Sequence, residues 1–154
     1  MPYNVKIEWK KKEDEIFTDK KYSRAHKWTF DSGIELKASS SPHVVPLPYS
    51  DENAVDPEEA FVAAVSSCHM LSFLPLAADK NYIVKSYEDN AEGVLAKNKD
   101  GILSMTKITL KPKIVFIGDN IPTKEKLDEV HHKAHEQCFI ANSVNTRISI
   151  VTGE

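Results

Sequence analysis

The stretch Val55-Asp56-Pro57-Glu58-Glu59-Ala60-Phe61-Val62-Ala63-Ala64-Val65-Ser66-Ser67-Cys68-His69-Met70-Leu71-Ser72 decides how this chain folds. Asp56 is a good N-cap, because its carboxylate can accept from the free amides of a first helical turn. Pro57 suits the first helical position, where a missing amide donor costs nothing. Glu59 follows the cap by three residues, so a capping box is predicted. The helix these signals open is predicted to run toward Asp79. It carries Phe61, Val62, Ala64, Val65, Cys68 and Leu71 on almost every side, the pattern of a helix buried in a core or an interface. Pro75 inside it removes the hydrogen bond to the Leu71 carbonyl, so a kink is expected there.

On the N-terminal side, Asn4–Trp9 alternates Val5, Ile7 and Trp9 with Lys6 and Glu8, a half-buried strand pattern. Trp28–Phe30 and Ile34–Ala38 flank an Asp31-Ser32-Gly33 turn and predict a hairpin. Ser39–Val55, with Pro42, Pro46 and Pro48, is expected to be an irregular connector. On the C-terminal side, Tyr82–Glu92 and Leu103–Ile117 read as strands, with Gly93 and Gly101 at turns. Thr123 caps a second helix over Lys124–Gln137, with Leu127, Val130, His131, Ala134 and His135 on its apolar or neutral face. Ile140–Val144 reads as a short turn or helix and Arg147–Val151 as a last strand. This order is α+β. No linker, repeat or low-complexity segment interrupts it, so residues 1–154 are expected to form a single domain.

Composition narrows the function classes. Of 154 residues, 41% are hydrophobic and 28% charged, an ordinary globular balance. Lys+Arg is 20 against Asp+Glu 23, and the net charge of −3 supplies no field for nucleic acid or an anionic membrane. The Lys10–Lys12 cluster is answered at once by Glu13-Asp14-Glu15. The apolar stretch Ala60–Ala78 is broken by Ser66, Ser67, His69, Ser72 and Pro75, so no membrane span is expected. The N-terminal residues lack the apolar run of a secretory signal. An intracellular, cytoplasmic protein is expected.

The chemistry turns on two cysteines, Cys68 and Cys138, which form no CxxC pair. Cys68 lies about three turns into the first helix, beyond the reach of the helix dipole. Burial among apolar neighbours favours its neutral, inert thiol. It becomes reactive only if another part of the chain brings a cation to it. Cys138, at the end of the second helix, is better placed to move. Only Arg24 and Arg147 are arginines, and Arg147 begins the last strand as an edge residue. Arg24 stands among lysines in Lys20–Lys27, where either its rigid fork is needed or the loop is simply solvated. His131, His135 and Cys138 fall at i, i+4 and i+7, and with His69 a tetrahedral zinc site can be drawn. That spacing matches no standard finger.

Two runs taken together are more specific than any of these residues alone. Val55–His69 resembles the first cysteine motif of the OsmC/Ohr family, the osmotically inducible protein C and organic hydroperoxide resistance proteins. Ala134-His135-Glu136-Gln137-Cys138-Phe139-Ile140-Ala141-Asn142-Ser143 resembles the second, in the right order and at a fitting separation. The resemblance implies an OsmC-like fold of antiparallel sheets around a long buried central helix, in an intertwined homodimer. It implies a thiol-dependent peroxidase that reduces organic hydroperoxides to alcohols, with no metal, flavin or haem. Position by position, Cys68 matches the peroxidatic cysteine and Cys138 the resolving one. Glu58 matches the carboxylate that holds an arginine, and Arg24 is the candidate for that arginine. The hydroperoxide-resistance branch carries a Gly-rich loop around its arginine, whereas this chain has Tyr22-Ser23-Arg24-Ala25-His26. Phe139 also replaces a frequent proline. Both departures place the chain on the OsmC-like side.

In the implied mechanism Arg24 supplies the missing cation and the Cys68 thiolate attacks the distal peroxide oxygen, leaving a sulfenic acid. Cys138 condenses with it to a disulfide, which an external dithiol, in some relatives a lipoyl-bearing protein, reduces. Leu71, Phe73 and Phe139 are candidate walls of the substrate cleft. Glu58 and Cys68 are ten residues apart, roughly 15 Å along a helix and about 80° around it. They cannot meet within one straight helix, so Glu58 and Arg24 are expected from a partner chain, giving composite sites in a dimer. Two other readings stay open: a non-catalytic member of the fold that binds an apolar ligand, and a His/Cys zinc-binding protein.

Overall fold

A computed structural model describes residues 1–152. The chain forms two compact units, Met1–Ala60 and a second that begins at Phe61.

The first unit is built on an antiparallel sheet of β1 (Val5–Glu8), β2 (His26–Phe30) and β3 (Glu35–Ala38), in that spatial order. Ile7 faces Trp28, and Trp28 faces Leu36, so the alternating apolar residues line up across the sheet. The hairpin turn closes through Gly33, whose φ of 85° suits glycine. The proline-rich connector is anchored at its far end. The Val55 amide donates to the Lys37 carbonyl and the Ser39 amide to the Val55 carbonyl, both at 3.0 Å.

The helix α1 spans Pro57–Asp79. Its capping box forms as the sequence predicts: the Glu59 amide donates to the Asp56 carboxylate at 2.8 Å and the Asp56 amide to the Glu59 carboxylate at 2.9 Å. Pro75 does not end the helix. Burial on every side is not found within one chain. The buried residues are Val65, His69, Phe73 and Ala77, a single stripe at four-residue spacing, while Ala63, Ser67, Leu71 and Pro75 are exposed. By length and composition α1 is also apolar enough to cross a membrane, a property that the core helices of globular proteins share.

The second unit adds β4 (Ile83–Asp89), β5 (Glu92–Lys97), β6 (Leu103–Leu110), β7 (Pro112–Ile117), α2 (Lys124–Gln137), a 3₁₀ turn (Ala141–Ser143) and β8 (Arg147–Ile150). β4 pairs antiparallel with β7, and β5-β6-β8 form a second sheet. There β6 and β8 run parallel, so that sheet is mixed rather than antiparallel throughout.

Two strand boundaries differ from expectation. The run Tyr82–Glu92 ends at Asp89, and Gly93 lies inside β5 instead of at a turn. A Cβ on Gly93 would stand 2.5 Å from Val62 Cγ2 and 2.6 Å from Met105 Cε, so β5 needs glycine where α1 crosses it. The run Leu103–Ile117 breaks at Lys111, whose amide donates to the Asp89 carboxylate at 2.6 Å. Two small cores result. Phe73, Ala77, Tyr82, Val130 and Ala134 pack α1 against α2, and Val65, Ile108 and Leu110 pack α1 against β6.

Candidate functional site

The sequence-selected residues fall into two groups, one in each unit. In the second unit, Cys68 stands half-buried in α1 and Cys138 is the C-cap of α2. Cys138 leaves the helix with φ −69° and ψ 112°, an extended conformation that turns its side chain out of the helical repeat. It is 1% exposed, and its Sγ accepts from the Ala141 amide at 3.4 Å. The side chain of Cys68 is its neighbour across the helix pair, close enough to perturb the Cys138 thiol. Burial pushes the Cys138 thiol up, and the neighbouring Cys68 sulfur adds to the shift while the Ala141 amide opposes it. Both cysteines are free thiols. Residues seventy apart in the chain are thus brought into each other's neighbourhood.

In the first unit, Arg24 and Glu58 line one cavity of about 490 Å³ together with Ile7, Trp9, Phe17 and Tyr22. Arg24 Nη1 donates to the carbonyls of Lys20 at 2.8 Å and Tyr22 at 2.5 Å, and the guanidinium lies 3.7 Å over the Tyr22 ring. The backbone beside it is pinned as well, the Arg24 amide donating to the Tyr49 carbonyl at 2.8 Å. Glu58 Oε2 is buried without a hydrogen-bond partner. The arginine and the carboxylate therefore share a cavity, but among the described residues no ion pair joins them.

Sequence reasoning missed the rings that shape this cavity. Trp9, Phe17 and Tyr22 form a three-ring cluster with centroids 4.8–5.9 Å apart. The available signal was three aromatics in an otherwise charged loop, with Tyr22 two residues before the lone arginine. Of the candidate cleft walls, Phe73 belongs to the hydrophobic core, whereas Leu71 is 63% and Phe139 82% exposed.

The histidines do not gather with the cysteines as metal ligands. Among the described residues no group of three or more His, Cys, Asp or Glu side chains is disposed to hold an ion. Instead His69 Nε2 lies 3.0 Å from His131 Nδ1, with the ring planes within 10° of parallel and the centroids 5.3 Å apart. Burial drives both rings from 6.5 down to about 4, with neighbouring His131 and His135 adding to the effect on His69. Asp89 opposes the shift at His69 and Asp128 opposes it at His131.

A long helix capped by a carboxylate, a second helix ending in cysteine, and two neighbouring free thiols define an α+β protein. A family model described as OsmC-like protein matches residues 50–153, and the chain belongs to that family. An OsmC-like protein of unknown function from Vibrio cholerae is 55% identical, with 98% of each chain covered and a TM-score of 0.95. An organic hydroperoxide resistance protein from Legionella pneumophila is 16% identical over 97% of this chain and 95% of its own, with a TM-score of 0.70. One from Bacillus subtilis is 18% identical over 97% and 96%, with a TM-score of 0.67. These two likenesses are of fold. No curated protein matches the chain.

Proposed function

We propose that this protein is a two-cysteine peroxidase that reduces organic hydroperoxides. The observation that carries the reading is that α1 and α2 bring the free thiols Cys68 and Cys138 close enough for one to perturb the other. Membership of the OsmC-like family supports a stress-related redox role, and structural neighbours described as hydroperoxide resistance proteins agree with it. The Cys68 thiolate attacks the distal oxygen of ROOH, the O–O bond breaks, and the alkoxide leaves as ROH after taking a proton. Cys68 is oxidised to the sulfenic acid. The Cys138 sulfur then attacks that sulfur, releasing water and forming the Cys68–Cys138 disulfide. An external dithiol restores both thiols and is itself oxidised to a disulfide.

Arg24 and Glu58 complete the site from the partner subunit of a homodimer. Their spacing from Cys68 along the chain and the exposed apolar face of α1 support this arrangement. A guanidinium brought to Cys68 favours its thiolate and donates hydrogen bonds to the peroxide oxygens. The aromatic cavity beside Arg24 offers the organic group an apolar wall. The protein would work in the cytoplasm, where dithiol reductants are available.

The test is consumption of cumene hydroperoxide with dithiothreitol by wild type, Cys68→Ser and Cys138→Ser. Turnover is expected to vanish in Cys68→Ser, and wild type should lose two mass units after one equivalent of peroxide. Wild type no faster than dithiothreitol alone would sink the proposal.

A further inference from the structure

We infer that the buried His69–His131 pair is a positioning device, which holds α2 against α1 so that Cys138 can close on oxidised Cys68. The inference rests on the peroxidase reading for the oxidant but not for the geometry. His69 is the residue after Cys68 on α1, and His131 precedes Cys138 by seven residues on α2, about 10 Å along the helix. The pair thus ties together the two elements that carry the thiols.

The bond is directional in a way that the surrounding packing is not. His69 is 1% and His131 2% exposed, their planes are 10° from parallel, and Phe73 stacks on His131 with centroids 4.5 Å apart. The pair is a poor choice for stability alone. His69 Nδ1 and His131 Nε2 are both buried without a partner, whereas two aliphatic side chains would leave no unsatisfied atom. Apolar contacts, however, tolerate small slides and rotations of one helix on another. A 3.0 Å hydrogen bond between rings set edge to edge in nearly one plane fixes both. Two neutral imidazoles share two protons, one of which lies in that bond, so either ring can be the donor and the link persists in both tautomers.

Only one of the two chemical steps needs this register. Forming the sulfenic acid involves Cys68 alone, while disulfide closure requires Cys138 to arrive in line with the Cys68 sulfur. The test therefore separates the steps by single-turnover mixing with one equivalent of cumene hydroperoxide, following sulfenic acid with a dimedone trap and the disulfide by mass. His69→Leu, His131→Leu and the double variant should form sulfenic acid within twofold of wild type. Closure should be slowed tenfold or more, with the double variant no slower than the singles, because all three lack the same bond. The double replacement leaves no orphaned nitrogen and is expected to fold. His131→Asn places an amide where Nδ1 was and should close within threefold of wild type. His131→Gln carries the same group one methylene farther out and should be slow. Should the leucine variants not fold, the Asn and Gln variants carry the same comparison.

Wild-type closure in His131→Leu or the double variant, equal rates for Asn and Gln, or both steps falling together would each overturn the inference. Diamide, a thiol oxidant that needs no peroxide site, separates this outcome from failure of the peroxidase reading. If wild type is inert to peroxide but its disulfide closes with diamide at least tenfold faster than in His131→Leu, the positioning role stands without the peroxidase.

Discussion

Two imidazoles that share a hydrogen bond inside an apolar core must both remain uncharged, and this sets a pH requirement on the fold. Burial holds His69 and His131 at about 4, against 6.5 for the free side chain. Between these values the unfolded chain binds protons that the folded chain refuses, so acid favours unfolding. The stabilisation is complete above pH 6.5 and is lost progressively toward pH 4. Urea midpoints measured from pH 7.5 to 4.5 should be level at the upper end and fall below about 6.5. The double His69→Leu/His131→Leu variant should show a flatter profile over the same range. None of this was legible in the sequence, where the two histidines stand 62 positions apart and suit a zinc site equally well. By contrast the sequence singles out Cys68 and Cys138 as candidates, because their flanking motifs resemble those of a known family.

At the scale of elements, what was local could be read and what was tertiary could not. Both helices begin where the caps place them, Asp56 with Glu59 for α1 and Thr123 accepting from the Lys126 amide for α2. A cap needs only its own first turn. Gly93 looked like a turn residue because glycine usually is one, yet its role is set by Val62 and Met105, neighbours in space alone. The break at Lys111 likewise depends on Asp89, 22 residues away. Gly93→Ala should destabilise the protein by about 1–3 kcal/mol, since the added carbon meets a Val62 methyl on α1. Combining it with Val62→Ala should recover a large part of the loss. Urea denaturation of the two variants checks both expectations, and a neutral Gly93→Ala would refute the close approach.

At the scale of the whole molecule, the proposed composite site can be tested without a structure of the dimer. Cys68→Ser and Arg24→Ala protomers should each be inactive as homodimers. Mixed by refolding, they form a heterodimer in which the intact Cys68 of one chain meets the intact Arg24 of the other. One site in two is then restored, and activity should reach about half that of wild type per heterodimer. A mixture that stays inactive would place arginine and cysteine of one site in the same chain. The sequence hinted at this scale through the nearly all-round apolar character of α1, but a single chain buries only the Val65-His69-Phe73-Ala77 stripe.

The four-residue spacing of that helix has a geometric consequence. Ala63, Ser67, Leu71 and Pro75 form an exposed ridge with the same repeat. Four residues overshoot a full turn by about 40°, so such a ridge slants across the helix at about −26° rather than following its axis. When two copies of one slanting ridge interlock, their helices cross at about −50°. In the proposed dimer the two α1 helices would therefore form an open X instead of a coiled coil, touching over a few turns near the middle. Their ends diverge steeply, and the space between the arms is where the remaining strands of each protomer would find room to wrap around the other.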